Sequence, residues 1–337
     1  MPDPALNEPL PDSLLERRAV RAWSRLRPNS VEPARLEVLK RRAKTPVYRL
    51  EGVGPDGATV IAKRCHAKTA TVEWMIYKDF LARLPMPALG TYGFLPEPDG
   101  ESCWLFIEDA GPHKYSPANE EHRALAGCWL ATVHRSPSFT GLQAVLPDRG
   151  HGHYLQRLGS ARAGLLRGVE NAFLHADEAA LLRTLLAQCE VIQTHWPELE
   201  RCFEDFPPTL VHGDFVSKNL RIQNAAAGPA LLVFDWEMAG WGVPATDLAQ
   251  SIGKAASPDL EAYAAVFDQD HPQFELGDLQ RLARFGNLLR VVDKIFWETV
   301  RLTGESYELL LRPLTTLREY VPQLAAALRA LDWTWHD

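Results

Sequence analysis

The sequence predicts an α+β protein in which a small strand-rich part precedes a larger, mostly helical part. Residues 33–64 contain three short segments rich in strand-forming residues, and turn residues separate them. From about Glu120 onward, apolar residues recur at helical spacing in long segments. Between the two parts, the strand-like segment SCWLFIED ends in Glu108 and Asp109. We therefore place a connector near residues 108–111, and because ligand sites often lie between domains, we expect a site close to it.

The first part begins with a helix and continues with strands. DSLLERRAVRAWSRL predicts the helix, with Asp12 or Ser13 as its N-terminal cap. Three strands are predicted in PARLEVLKRR, PVYRLEG and ATVIAKR, and another in SCWLFIED. Residues 71–84 predict a helix, because aromatic and apolar residues recur there at helical spacing. PMPALGTYGFLPEPDG is rich in proline and glycine and is predicted to be a connection.

The second part contains long helices and two short strands. The predicted helices are EEHRALAGCWLATVHR, EAALLRTLLAQCEVIQTHW, SPDLEAYAAVF and LQRLARFGNLLRVVDKIFWETVRL. LRIQN and ALLVFDW predict the strands, and no internal repeat is visible.

The composition indicates a globular protein with a sizeable core. Of 337 residues, 46% are hydrophobic and 23% are charged, and the net charge is -7 without a long basic run, which argues against nucleic acid or an anionic membrane as a partner. The five cysteines form no C-x-x-C pair, so neither a disulfide framework nor a structural zinc site is expected. The N-terminal residues lack the pattern of a signal peptide, and no apolar run approaches membrane-spanning length. We therefore expect a cytoplasmic protein.

Two short motifs admit both a functional and a structural interpretation. GVGPDG, from Gly52 to Gly57, matches the dinucleotide-binding pattern G-x-G-x-x-G, but a strand follows it where that pattern requires a helix. A turn between two strands is therefore the favoured interpretation. The histidines of the HGH segment at 151–153 could indicate a metal site, but they have neither nearby cysteines nor helical His spacing, so we expect a surface turn.

The segment VHGDFVSKNL, residues 211–220, concentrates polar side chains and could be a surface turn, half of a metal site or a catalytic loop. Asp214 and Asn219 are five positions apart, and LLVFDWE places Asp235 at the end of an apolar strand. A carboxylate in that position is costly unless it is paired or binds a cation. Asn219 and Asp235 form a suitable oxygen-ligand set for Mg²⁺, which leaves Asp214 free to accept a hydroxyl proton.

Three motifs in order carry a resemblance to a known family. H-G-D-x-x-x-x-N at 212–219, D-W-E at 235–237 and D-L-A at 247–249 resemble those of the aminoglycoside phosphotransferase and choline kinase-like family of small-molecule kinases. The resemblance covers residues 36–300. It implies a bilobal protein-kinase-like fold, with a small antiparallel-sheet N-lobe and a larger, mostly helical C-lobe. The implied domains are an N-terminal helical extension at 1–35, the N-lobe at 36–107 and the C-lobe at 108–337.

The resemblance also implies roles for residues of the catalytic loop. Asp214 would be the catalytic base, and Asn219 and Asp235 would hold Mg²⁺. His212 and Asp247 would brace the loop and take no part in catalysis.

A second set of roles concerns the nucleotide, which would be ATP or GTP. Lys63 would contact the α- and β-phosphates, held in place by an ion pair with Glu73. Arg64 competes with Lys63 for this role, but strand alternation places the two side chains on opposite faces. The backbone of the connector, including Glu108 and Ala110, would meet the adenine.

The sequence departs from the family's pattern in two places. The loop KRRAKTPVY contains no glycine, so its polar residues either contact phosphate through their side chains or form an exposed basic turn; these residues are Arg41, Arg42, Lys44 and Thr45. Val216 stands where protein kinases have a lysine, and Lys218 either replaces that lysine or faces solvent.

These observations predict a Mg²⁺-dependent kinase that phosphorylates a hydroxyl of a small molecule. Trp297, with Asp293 and Glu298 on a late helix, would suit a cationic acceptor. Glu237 would position metal or substrate, or would be solvated. No nucleic-acid or membrane partner is expected, and the protein would be a monomer or a homodimer.

Two alternatives remain at this stage. A catalytically silent nucleotide-binding scaffold on the same fold is favoured by the missing glycines and opposed by the retained polar residues. A metal-dependent phosphohydrolase using His212 would need more histidine ligands than the segment offers.

Overall fold

The computed structural model describes residues 12–41, 45–136, 140–225 and 228–334. The helices in these ranges are α1 (Asp12–Leu26), α2 (Ala67–Met75), α3 (Glu120–His134), α4 (Thr140–Gln143), α5 (His151–Val169), α6 (Ala176–Thr194), α7 (Trp196–Asp205), α8 (Leu260–Phe267), α9 (Leu276–Thr299) and α10 (Tyr307–Arg329). The strands are β1 (Arg35–Lys40), β2 (Val47–Glu51), β3 (Val60–His66), β4 (Thr91–Pro96), β5 (Ser102–Glu108), β6 (Asp148–Arg149), β7 (Thr209–Val211), β8 (Leu220–Ala225), β9 (Gly228–Val233) and β10 (Gly240–Gly242). No helix of the described ranges combines the length and the apolar character needed to cross a membrane.

The chain divides into two compact units. The first unit consists of Met1–Lys114 together with Leu220–Glu237, so the hairpin of β8 and β9 joins the N-terminal residues. The second unit consists of Tyr115–Asn219 and Met238–Asp337. The domain boundaries expected at 35/36 and 107/108 stay a prediction.

A five-stranded antiparallel sheet forms the centre of the first unit. Its strand order is β1-β2-β3-β5-β4, which confirms the predicted antiparallel N-lobe. Alternation along β2 buries Tyr48 and Leu50 on one face. Trp23 of α1 packs on that face, with its ring 5.2 Å from that of Phe106. Burial of these large apolar side chains fixes the sheet, and with it the position of β3.

Two predictions for the first unit need correction. PMPALGTYGFLPEPDG is not only a connection, because Thr91–Pro96 forms the edge strand β4 and Phe94 packs 5.4 Å from the ring of Trp74. Proline is tolerated at the end of an edge strand, so its presence did not exclude pairing. The helix predicted over residues 71–84 begins earlier, at Ala67, and after Met75 it continues as a π-helical turn and a 3₁₀ turn.

The turn interpretation of GVGPDG is confirmed. The segment connects the antiparallel strands β2 and β3. Pro55–Gly57 forms a 3₁₀ turn, and Gly57 has a φ of +77°, a conformation that glycine adopts without steric cost.

Helices dominate the second unit, as predicted. They pack beside a small sheet with the order β6-β10-β7. The predicted helices correspond to α3, α6, α8 and α9. Gly286 of α9 lies so close to the 3₁₀ turn at Pro244–Thr246 that a Cβ there would stand 1.8 Å from the carbonyl oxygen of Ala245. This close approach places α9 directly beside Asp247.

The expected surface turn at 151–153 is wrong. These residues form the first turn of α5, with Gly150 as the N-cap. His151 Nδ1 lies 3.0 Å from Glu200 Oε1, and His153 contacts the guanidinium of Arg149. The helix outweighs the local turn tendency of glycine because its apolar face packs against α6 and α9.

Candidate active site

Lys63 of β3 lies at the centre of a cluster of carboxylates in the first unit. Its Nζ is 2.5 Å from Glu73 Oε1, contacts Asp235 Oδ1 and lies 4.0 Å from Glu237 Oε2. Lys63 is only 6% exposed, and Glu73 of α2 is completely buried. The predicted Lys63–Glu73 ion pair is therefore present, and two further acids share the same ammonium.

The surrounding charges determine the protonation of this cluster. Burial alone would lower the pKa of Lys63, but the attraction of Glu73, Asp235 and Glu237 outweighs it and raises that pKa well above its ordinary value. Complete burial raises the pKa of Glu73 to about 7, although Lys63 acts in the opposite direction. The ammonium thus stays charged among more carboxylates than it can neutralise.

Backbone geometry directs the cluster's members toward one another. Asp235 follows β9 and has a φ of +67°, in the left-handed region that few non-glycine residues adopt. Arg64, the neighbour of Lys63, projects to the opposite side of the sheet, where its Nε donates to Glu97 Oε2 at 2.8 Å. The predicted alternation of Lys63 and Arg64 is therefore confirmed.

One cavity of the first unit, of about 150 Å³, brings the predicted nucleotide residues together. Lys63, Glu73, Glu108 and Ala110 all line it, and so does Asp235. Its apolar wall comes from Leu39, Val47, Ile61, Leu89, Ile107 and Phe234. The cavity therefore offers an apolar wall and an ionic group, the two features that a nucleotide base and its phosphates require.

A charged network in the same cavity was not foreseen from the sequence. Arg49 Nε donates to Asp109 Oδ2 at 2.7 Å, and its NH1 donates to Glu37 Oε2 at 2.6 Å. Glu108 Oε2 accepts from the backbone N–H of Gly90 at 2.7 Å. The isolated charge of Arg49 in the middle of a strand is the sequence signal that could have indicated this network.

The glycine-free loop is only partly described. Arg41 and Thr45 border the segment 42–44, and Arg42 and Lys44 lie outside the described residues. Lys40, at the end of β1, lines the cavity. The role of this loop in phosphate binding stays a prediction.

In the second unit, the segment after β7 is fixed by Asp247. One carboxylate oxygen of Asp247 accepts the backbone N–H of His212 at 2.6 Å, and the other accepts that of Gly213 at 2.9 Å. His212 Nδ1 accepts the N–H of Asp214 at 3.2 Å. Gly213 has a φ of +75°, and a Cβ there would lie 2.3 Å from the carbonyl oxygen of Met238. His212 and Asp247 thus make the bracing contacts predicted for them.

Asp247 remains ionised although it is completely buried. Burial alone would raise its pKa, but the hydrogen bond and charge of His134, together with His212, lower it below the ordinary value. His134 Nε2 lies 3.6 Å from Asp247 Oδ2, and His134 Nδ1 lies 3.1 Å from the hydroxyl of Tyr263. This network anchors the segment after β7 to α3 and α8.

Three side chains surround the carboxylate of Asp214. Asn219 Nδ2 donates to Asp214 Oδ2 at 3.2 Å and to the Asp214 carbonyl at 3.0 Å. Lys218 Nζ lies 3.1 Å from Oδ2, and Arg290 NH2 lies 3.6 Å from Oδ1. Of these, Arg290 was missed from the sequence, although a single arginine within the apolar run LLRVV of α9 is a usable signal.

Asp214 also lines a cavity of about 90 Å³, hereafter the second-unit cavity. Its other lining residues are Arg149, His153, Tyr154, Gly213, Met238, Thr246, Leu289, Arg290, Asp293 and Lys294. Of the expected acceptor residues, only Asp293 is among them. Trp297 is 45% exposed, and Glu298 pairs with Arg301 at 2.6 Å. Neither side chain lines the cavity. Position 297 lies on the same face of α9 as Asp293 and Lys294, but the ring of Trp297 packs against the guanidinium of Arg157, 5.3 Å from its centroid.

The two predicted Mg²⁺ ligands belong to different units. Asp235 lies in the first unit and Asn219, which is buried, lies in the second. Within the described residues, no group of three or more His, Cys, Asp or Glu side chains is arranged to hold a metal ion. A Mg²⁺ ion bound by Asp235 or Asn219 would therefore need further ligands that are not protein carboxylates. Substrate phosphates commonly provide such ligands for Mg²⁺.

Comparison with known proteins gives a family match and several fold matches. Residues 35–285 match the model of the phosphotransferase enzyme family, APH. A solved GDP complex of a mutant aminoglycoside 2'-phosphotransferase-IIIa aligns with a TM-score of 0.63 at 14% identity, covering 93% of this chain and 99% of that one. An ADP-bound aminoglycoside phosphotransferase, APH(2'')-Ib, aligns with a TM-score of 0.58 at 14% identity, covering 90% and 98%.

An ethanolamine kinase from Plasmodium vivax is also similar. It aligns with a TM-score of 0.57 at 13% identity, covering 87% of this chain and 84% of that one. No curated protein sequence matches the chain significantly. At such low identity these structures establish the shared protein-kinase-like fold, and the family match covers most of the chain.

Proposed function

Because the chain belongs to the phosphotransferase enzyme family, we propose that it transfers the γ-phosphoryl group of ATP or GTP to a hydroxyl of a small molecule. The observation that carries this proposal is the placement of Lys63, Glu73 and Asp235 around one cavity. A buried lysine held by a glutamate beside an apolar cavity is the arrangement that positions nucleotide phosphates in kinases.

In this proposal the cavity of the first unit binds the nucleotide. Lys63 contacts the α- and β-phosphates, and Glu73 holds its ammonium in place. The base packs on the apolar wall and meets the backbone from Glu108 to Ala110. Structural neighbours were solved with GDP and with ADP, so both purines are candidates.

The negative charge of the carboxylate cluster suits a magnesium ion that draws its further ligands from the nucleotide phosphates. Glu73, Asp235 and Glu237 surround a single ammonium, which leaves negative charge that a divalent cation would neutralise. Asp235 and the amide oxygen of Asn219 are hard oxygen donors of the kind that Mg²⁺ prefers. When bound, the ion would neutralise charge on the transferring phosphate.

Asp214 serves as the base for the acceptor hydroxyl. The hydroxyl oxygen forms a bond to the γ-phosphorus, and the bond from that phosphorus to the β,γ-bridging oxygen breaks. The nucleoside diphosphate leaves with the electron pair of the broken bond, and the hydroxyl proton passes to the Asp214 carboxylate. Asn219, Lys218 and Arg290 hold this carboxylate in one orientation. Positioning and charge neutralisation therefore account for most of the catalysis.

The competing proposal is a nucleotide-binding scaffold without turnover, which the glycine-free loop favours. It predicts the same cavity chemistry in the first unit but no use for Asp214. The two proposals are separated by turnover, because binding alone fits both.

The decisive experiment measures release of ADP or GDP with Mg²⁺ across a library of hydroxyl compounds. We expect release that depends on an acceptor, stops with a chelator and falls by about 10²- to 10⁴-fold in Asp214→Asn. Nucleotide binding without release for any acceptor would favour the scaffold. Absence of Mg²⁺-dependent nucleotide binding would refute both proposals.

A further inference from the structure

The second-unit cavity carries an excess of positive charge. Three cationic side chains line it, namely Arg149, Arg290 and Lys294, and only Asp214 and Asp293 are acidic. Both acids already have cationic partners outside the lining. Asp293 Oδ1 lies 3.4 Å from Arg157 Nε, and Asp214 Oδ2 lies 3.1 Å from Lys218 Nζ. Five cations thus surround two carboxylates.

Arg290 has unused hydrogen-bonding capacity. It is only 8% exposed, and among the described residues its Nε has no hydrogen-bond partner. Its remaining contacts are long, since NH1 lies 3.4 Å from the Thr246 carbonyl and NH2 lies 3.6 Å from Asp214. A buried guanidinium with a free donor is costly without an acceptor, and a ligand anion would provide one.

Lys294 lies one helical turn beyond Arg290 on α9 and therefore on the same face. Burial and the nearby charge of Arg290 lower its pKa, whereas Asp214 acts in the opposite direction. In the described part of the chain, Lys294 forms no ion pair with a carboxylate, and its Nζ lies 5.7 Å from the centroid of the Tyr320 ring. Two neighbouring cations on one wall, neither fully neutralised, form a receptor for an anion.

We propose that the acceptor carries an anionic group, a carboxylate or a phosphate, which binds between Arg290 and Lys294 while its hydroxyl meets Asp214. This inference rests on the proposed kinase function and names its substrate class. The cavity volume of about 90 Å³ is about that of three water molecules in the liquid, which is enough for a carboxylate or a phosphate group. A cationic acceptor would instead add a further positive charge to this wall.

The first test compares acceptors of matched size. The three-carbon set is glycerate, glycerol 3-phosphate, glycerol and 2-amino-1,3-propanediol, and the six-carbon set is gluconate, glucose 6-phosphate, glucitol and glucosamine. With Mg²⁺ and ATP, we expect kcat/KM for an acid to exceed that of its neutral and cationic counterparts by at least tenfold. Faster turnover of the neutral or cationic compounds would overturn the inference and leave the kinase function standing.

The second test measures acceptor binding, so it shows whether the site prefers an anionic compound even if no turnover is detected. The same compounds are titrated by calorimetry into protein saturated with Mg²⁺ and a non-hydrolysable ATP analogue. We expect the acids to bind, Lys294→Met to weaken that binding at least tenfold, Lys294→Arg to restore it, and Lys254→Met, at an exposed lysine of the same unit, to leave it unchanged. The inference fails if the acids bind no better than the neutral compounds. It also fails if Lys294→Met weakens only the ATP analogue, because the anion would then be the nucleotide phosphate.

Discussion

In the first unit one ammonium is shared by three carboxylates, whereas in the second unit cations outnumber the carboxylates around Asp214. The surplus around Lys63 is negative and suits a divalent cation that accompanies nucleotide phosphates. The surplus beside Arg290 and Lys294 is positive and suits an anionic group. The net charge of the whole chain, -7, does not indicate the local charge of either site. Local placement of charges, and not their sum over the chain, therefore determines what each unit can bind.

Two completely buried carboxylates sharpen this comparison. Burial raises the pKa of Glu73 to about 7. Lys63 acts in the opposite direction but does not cancel this effect, since its ammonium is shared with Asp235 and Glu237. The pKa of Asp247 is lowered in spite of burial, because two backbone N–H groups and His134 stabilise the charge. A dedicated set of donors thus keeps a buried carboxylate ionised more effectively than a shared cation does.

The largest effects are expected for substitutions of Asp214 and Asp235, and only the second substitution should weaken nucleotide binding. Asp214→Asn should lower kcat by about 10²- to 10⁴-fold, because it removes the proposed base, and should leave nucleotide affinity unchanged. Asp235→Ala should abolish metal-dependent turnover and also weaken Mg²⁺-dependent nucleotide binding. Steady-state kinetics and nucleotide calorimetry on both variants measure the difference. Full activity in Asp235→Ala would refute the assignment of Asp235.

The next effect concerns the stability of the first unit. Lys63→Met leaves Glu73 buried without its cation and should lower the free energy of unfolding by about 3–5 kcal/mol. Lys68→Met, at an exposed lysine just beyond β3, should change it by less than about 0.5 kcal/mol. Urea denaturation compares the two variants.

A double variant tests whether the lower stability of Lys63→Met comes from the Glu73 carboxylate, which is left without a cation. Lys63→Met combined with Glu73→Leu removes both charges and should regain most of the lost stability. If the double variant is as unstable as the single one, the loss has another origin, such as packing.

Strand alternation predicted one feature of the site, and the family resemblance predicted others. The opposite orientation of Arg64 follows from alternation along β3, whereas the ion pair of Lys63 with Glu73 and the roles expected around Asp214 were implied by the family resemblance. The strands followed from their residue composition and the turn residues between them, and their antiparallel arrangement was implied by the resemblance. Alternation and the motifs are both recognised from short stretches of sequence, so neither prediction depends on how distant segments pack.

The cations of the second-unit cavity could not be predicted in this way. Arg149 and Arg290 are far apart in the sequence and meet only because α9 packs against α5 and the turn before Asp247. Periodicity placed Asp293 and Trp297 on one helix, but it gave no information on which face meets Asp214. That choice depends on tertiary packing, such as the close approach of Gly286 to Ala245.

A smaller effect is expected at the buried carboxylate of the second unit. Asp247→Asn keeps one acceptor oxygen but turns an amide donor toward a backbone N–H, and should cost about 2–3 kcal/mol of stability. Asp259→Asn is the matched control, because Asp259 also accepts two backbone N–H groups but caps α8, where asparagine serves equally well.

The pH dependence of Asp247→Asn follows from the lowered pKa of Asp247. The stabilisation is present above the pKa of the unfolded chain, near 3.8, and is lost as the pH falls through the folded value. The stability gap between wild type and variant should therefore narrow below about pH 4. A gap that stays constant in urea titrations from pH 7 to pH 3 would contradict this account.

The smallest effect concerns His153, which lies among the cations of the second-unit cavity. Burial, then the charges of Arg149 and Arg157, lower its pKa from 6.5 to about 4, so the folded protein holds a neutral ring that the unfolded chain would protonate. Stability should therefore fall as the pH falls from about 6.5 to about 4. For a fully buried ring the loss would be about 3 kcal/mol, and solvent screening at this half-buried site reduces it to about 1–2 kcal/mol. His153→Gln should remove this slope in urea titrations across that range. If the slope persists unchanged, the titration of His153 is not its cause, and this account of a neutral His153 ring in the folded protein is wrong.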